Sequence, residues 1–111
     1  MSRSIPEADW KTLRRLQPTL LNRLCETILA DVANASTGPG TPHERYLRVF
    51  KLVHKRDEDL GRAFNNLRRS SALMQMMVMR SLNLFAEEEF MLLTTETRES
   101  IDGLLSISRS Q

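Results

Sequence analysis

Residues 57–82 read DEDLGRAFNNLRRSSALMQMMVMRSL, and within them Leu60, Phe64, Leu67, Ser71, Met74, Val78 and Leu82 recur at steps of three and four residues. That spacing predicts one face of an α-helix. About 26 residues at 1.5 Å per residue make a helix about 39 Å long, longer than a small domain is wide, so part of its apolar face calls for a partner. The same stretch admits a second reading, a break at Ser70 and Ser71 with Ser70 capping a new helix. Gly61 and the pair Asn65–Asn66 are milder weak points, each costing up to about 1 kcal/mol relative to alanine. Met74, Met76, Met77 and Met79 crowd the second half of the stretch. Flexible thioethers fill gaps in cores and also suit adaptable partner surfaces. Core filling is the leading expectation for the set, with Met74, Met77, Val78 and Leu82 as the candidate partner surface.

Upstream, Ser4 and Glu7 have capping-box spacing with Pro6 in the first turn, which predicts a helix from about residue 5. Trp10, Leu13 and Leu16 line its inner side. Pro18 lacks an amide hydrogen and disfavours helical geometry at Gln17, so a helix restart is expected there. Leu20, Leu21, Leu24, Cys25, Ile28, Leu29 and Val32 then form a broad apolar stripe. Residues 34–42, NASTGPGTP, carry a loop signature. Thr41 and Glu44 form a second capping box with Pro42 at the first helical position, predicting a helix from Pro42 to about Lys55. Tyr46, Val49, Phe50 and Val53 share one of its faces, and Arg45, Arg48, Lys51 and Lys55 the opposite one. The change from Lys55–Arg56 to Asp57–Asp59 fits the dipoles of two helices meeting end to end. After Asn83, the acids of AEEEF open a short helix from about Ala86 to Leu93. Thr94 or Thr95 caps a last one with Ile101, Leu104 and Leu105 on its apolar side, and residues 106–111 should fray.

Nothing in the chain alternates with period two between turn residues, so the expected fold class is all-α. The 111 residues, 41% apolar and 27% charged, fit a single helical domain over 1–111: a compact bundle of five or six helices with one long central helix. A single cysteine, Cys25, excludes an intramolecular disulfide. The polar N-terminus lacks a signal-peptide core, and no run approaches the length of a membrane span, so a cytoplasmic, unprocessed protein away from membranes is expected.

The formal charge of +2 is unevenly spread. Residues 45–80 hold nine bases to three acids, and residues 81–111 hold two bases to six acids. The plain expectation is that the acidic tail folds back on the basic middle; the alternative is a free basic surface for a polyanion.

Chemistry has little to work with. His43 stands at a loop–helix junction and His54 on a helix flank near Asp57, where an exposed imidazole is the expected role. Glu87, Glu88 and Glu89 are adjacent, so their side chains point about 100° apart and serve a solvated first turn better than a carboxylate dyad. No Cys/His cluster has zinc spacing, and no enzyme, metal or cofactor is expected. Two binding readings remain. A protein-interaction module or homodimer uses most of the sequence. Nucleic-acid binding through Arg45, Arg48, Lys51 and Lys55 is the alternative, without helix-turn-helix spacing, an aromatic stacking set or a basic arm to support it.

The run IPEADW, then LRRLQPTLLNRLCETIL, then HERYLRVFKLVHKRDEDLGRAFNNLRRSSALMQMMVMRSLNLFAEEEF, resembles a family of small bacterial proteins of unassigned function, some loosely labelled peptide-transporter components. The resemblance covers nearly the whole chain and implies a self-contained bacterial domain. It supplies no catalytic or binding residue. The transporter label does not carry over, because a substrate-binding component needs an export signal and a larger ligand-enclosing structure.

Overall fold

In the computed structural model, which describes residues 4–110, the chain forms five α-helices in the order α1 (Glu7–Thr37), α2 (Pro42–Phe64), α3 (Ala72–Ser81), α4 (Glu87–Phe90) and α5 (Thr95–Arg109). Among the described residues there is no strand, and the class is all-α.

Helix α1 runs straight through Pro18, so the expected restart does not occur. Leu13 on one side of the proline and Leu20 and Leu24 on the other are all buried in one core, and their burial holds the helix together across it. Pro18 itself is exposed, so water can satisfy the carbonyl that its missing N–H leaves free. The Ser4–Glu7 capping box is also absent: Pro6 is the N-cap and no side chain caps the turn. Glu7 is drawn away by Arg69, whose Nη1 donates to its carboxylate at 2.8 Å while Nε donates to the Ile5 carbonyl at 2.9 Å. The helix continues to Thr37, leaving only residues 38–41 as the connection instead of a loop over 34–42. Gly40, at φ +118°, makes that tight turn in a region where side-chain-bearing residues are strained.

The capping box at the start of α2 forms as its sequence predicts. Thr41 Oγ1 accepts from the Glu44 amide at 3.1 Å, and Glu44 Oε1 accepts from the Thr41 amide at 2.8 Å. The junction expected at Arg56–Asp57 lies inside this helix. The charge reversal is satisfied sideways, because Arg56 pairs with Asp31 of α1 at 2.5 Å and Asp59 with Arg62 one turn on at 2.6 Å.

The long helix over 57–82 is therefore corrected to two pieces: the helix is lost at Asn65 and resumes at Ala72, so the gap takes in the Ser70–Ser71 break of the second reading, with Ser71 and not Ser70 as the N-cap of α3. Asn66 sits at φ +53°, a left-handed conformation that asparagine tolerates better than most residues. The buried amide of Gln75 closes the gap, donating to the carbonyls of Ala63 at 3.3 Å and Asn65 at 2.9 Å. Those groups would otherwise be orphans of the α2 C-terminus. Helix α4 is shorter than the 86–93 expectation, opening with Glu89 accepting from the Ala86 amide at 2.8 Å. Helix α5 is capped by Thr94 and stays helical to Arg109, past the point where fraying was expected.

One buried cluster joins Leu13, Leu20 and Leu24 of α1, Ala63 and Phe64 of α2, Met76 and Met79 of α3, Leu84, Phe85, Phe90, Leu93 and Ile101. Asp9, 1% exposed, ties the ends of the chain together by accepting from the Thr94 amide at 2.9 Å, Thr94 Oγ1 at 2.7 Å and Thr97 Oγ1 at 2.5 Å. The core thus sits at one end. Its members from α1 stop at Leu24 and those from α2 begin at Ala63, and the intervening helical hairpin extends away as an arm. The overall dimensions are 51 × 31 × 24 Å, and the radius of gyration of 16.3 Å exceeds the ~13 Å of a compact domain near 100 residues.

Candidate functional site

The arm is held together by polar clamps. At the end of α1, Arg45 Nη1 donates to the Ser36 carbonyl at 3.0 Å. Arg48 reaches the Ala35 carbonyl at 3.2 Å and the Pro39 carbonyl at 2.6 Å. Cations suit this place, where the last turn of a helix presents free carbonyls at the negative end of its dipole. Further along, Arg56 pairs with Asp31 and half-buried Leu52 lies between. Residues 45, 48, 52 and 56 share one side of α2 at about 100° per residue, so the clamps decide which face looks at α1.

The face turned away is apolar. Tyr46 is 62% exposed, Phe50 57% and Val53 44%, while Leu29 on the adjoining flank of α1 is 66% exposed. Tyr46 and Phe50 have ring centroids 6.4 Å apart, and the His54 ring stacks near-parallel on Phe50 at 6.3 Å. His54 Nε2 also lies 3.9 Å from Glu58. Val53 and Asp57 border two shallow grooves at once, one with Tyr46 and Phe50 and the other with Cys25, Ile28 and Leu29, so the apolar surface is continuous across both helices. Every residue from 25 to 62 keeps at least partial exposure. Scattered exposed hydrophobics are ordinary; a contiguous aromatic stripe along a helix is a mark of an interaction surface.

The residues singled out from sequence are distributed differently. Met76 and Met79 are fully buried, as core-filling thioethers should be. Val78 and Leu82 pack against the core and Met77 is half-buried. Met74 alone of the suspected partner set stands out, 54% exposed, in a groove between α3 and α5 with Leu73, Leu104 and Ile107. The cationic row is split as well: Arg45 and Arg48 are engaged on the α1 terminus, and Lys51 and Lys55 are exposed.

Acids of the tail pair with bases elsewhere in the chain at two places among the described residues. Arg80 lies 3.8 Å over the Phe90 ring, 3.5 Å from Glu87 and 4.0 Å from Asp102. Glu89 turns instead to α1, where Arg23 Nη1 donates to it at 2.7 Å and to the Leu84 carbonyl at 2.5 Å. That hydrogen bond holds the Glu89 carboxyl below the usual glutamate range and raises the Arg23 guanidinium further. Both contacts fasten the body and leave the arm untouched.

Cys25 is half-buried at the base of the arm. Among the described residues, no helix is long and apolar enough to cross a membrane. No protein-family model, curated protein or solved structure matches the chain.

Proposed function

We propose that this protein is a non-enzymatic association module, working by binding a helical surface along the stripe of Tyr46, Phe50 and Val53 with Leu29 at its flank. The observation that carries this reading is the exposure of those four side chains on an arm that supplies no buried core residue. Each large apolar side chain buried on association contributes about 1.5–3 kcal/mol before ordering costs, and aromatic residues lead such contacts. A role of this kind fits a self-contained bacterial domain, as the family resemblance implies, working in the cytoplasm. It also moves the binding surface from the methionine end of α3, where Met74 is the one strongly exposed member, to the arm.

Photo-crosslinking in intact cells tests the reading, with a benzophenone amino acid placed at Phe50 in one variant and at Met74 in another. Adducts are expected from Phe50 and few from Met74. Adducts from Met74 with none from Phe50 would refute it.

A further inference from the structure

We infer that the occupant of the stripe is a second copy of this chain, laid antiparallel along α2 about a two-fold axis through Phe50. The inference rests on the reading of the arm as an association surface, and three observations carry it further.

The first is the order of side chains along the stripe. Counting outward from Phe50, Leu47 and Val53 stand three residues away, Tyr46 and His54 four, and His43 and Asp57 seven. Those offsets keep every one of them on the face of Phe50. A two-fold axis sets each residue against those about equally far on the other side, as isologous interfaces require. His43 then meets Asp57 of the second copy near the middle of the seam and Phe50 meets itself, while Tyr46 lies along one edge beside the second copy's Val53 and His54 along the other beside its Leu47. Ring falls beside aliphatic along both edges, and base on acid. A parallel arrangement would set His43 on His43 and Asp57 on Asp57.

The second observation is where exposure ends. Along this face it runs from His43 to Asp57, then gives way to half-buried Gly61 and buried Phe64. The midpoint is again Phe50, so two arms overlap along their whole exposed length before either meets the body of the other. The third is Leu29, which borders Val53 and Asp57 in one groove. In this register it comes alongside Tyr46 of the second copy, giving a four-helix seam of two hairpins.

Sedimentation velocity on the purified chain tests the arrangement, using His43→Glu, whose stripe ends are both acidic, and Asp57→Lys, whose ends are both basic. Circular dichroism checks that each exposed substitution leaves the helices intact. The wild type should dimerise, and each variant alone should do so about tenfold more weakly, since at both symmetric contacts two like groups replace a base facing an acid. An equimolar mixture of the two should recover the wild-type affinity. A mixture no tighter than its components overturns the antiparallel pairing. A wild type that stays monomeric up to millimolar concentration overturns self-pairing altogether. If Phe50 still photo-crosslinks to a different protein in that case, association through the arm stands; if it does not, both readings fall.

Discussion

Replacing Asp9 with alanine should destabilise the fold more than any other single change in the first helix's opening turn. The carboxylate is buried, it has no basic partner among its hydrogen bonds, and it accepts from the Thr94 amide, the Thr94 hydroxyl and the Thr97 hydroxyl. Its charge is stabilised by position: Asp9 lies in the first turn of α1, and Thr94 is the N-cap of α5, so two positive helix ends converge on one carboxylate. Hydrogen bonds to a charged group contribute about 1.5–3 kcal/mol each, but bonds that share one acceptor do not add fully. Alanine would remove the acceptor of the buried Thr97 hydroxyl and of the part-buried Thr94 amide and hydroxyl, so a loss of about 3 kcal/mol is expected, a large part of a typical 5–15 kcal/mol. Asparagine, which keeps one acceptor oxygen, should lose about half as much. Urea unfolding followed by helical circular dichroism reads both values. An alanine variant within about 0.5 kcal/mol of wild type would refute the clasp as a stabilising element.

Pro18→Ala should raise stability by about 1–2 kcal/mol, since it restores an amide in an exposed helix interior where the flanking leucines already hold the geometry; thermal unfolding checks the sign, and a loss would mean that the proline is needed. Glu89 binds its proton less readily when folded than when unfolded. Its contribution is therefore fully present above the ordinary glutamate value, about 4.3, and is lost as the pH falls through the lower folded value. Glu89→Gln should flatten the acid limb of a stability-against-pH curve, and parallel curves would contradict the Arg23 contact. Fluorescence anisotropy with a labelled duplex at low salt should give no binding tight enough to saturate, because Arg45 and Arg48 are already committed to carbonyls; saturable binding with a steep salt slope would restore the polyanion role.

Periodicity and capping chemistry made much of the fold legible. The all-α class, the box at Thr41–Glu44 and a cap at Thr94 or Thr95 follow from local rules, whereas the stripe through Met74 and Val78 does not single out Met76 and Met79, the methionines that are fully buried. Several boundaries did not follow from such rules, and for three of them the structure supplies the reason. Pro18 is tolerated because burial on both sides outweighs one missing bond. The acid–base reversal at Arg56–Asp57 is absorbed by Asp31 across the hairpin and Arg62 along the helix. Helix α2 ends at Asn65–Asn66 because Gln75, ten residues on, satisfies the freed carbonyl of Asn65. Local sequence can show Arg62, but not that Asp31 and Gln75 come to lie beside these positions. The arm was half legible. Tyr46, Phe50 and Val53 read as one apolar face, but an amphipathic pattern does not say whether its own chain covers it. The signal lay in the cations beside them: Arg45, Arg48 and Arg56 take the side facing α1, which leaves the aromatic side outward.

Hydrogen–deuterium exchange across a concentration series of the purified chain separates association through the arm from association through α3. An arm that supplies no buried core residue should open at low free energy and exchange quickly when dilute. Amides of α2 around Phe50 are expected to gain protection as concentration rises, while those near Met74 in α3 do not change. Protection that grows along the groove of Met74 and Ile107 instead, with α2 unaffected, would contradict association through the arm.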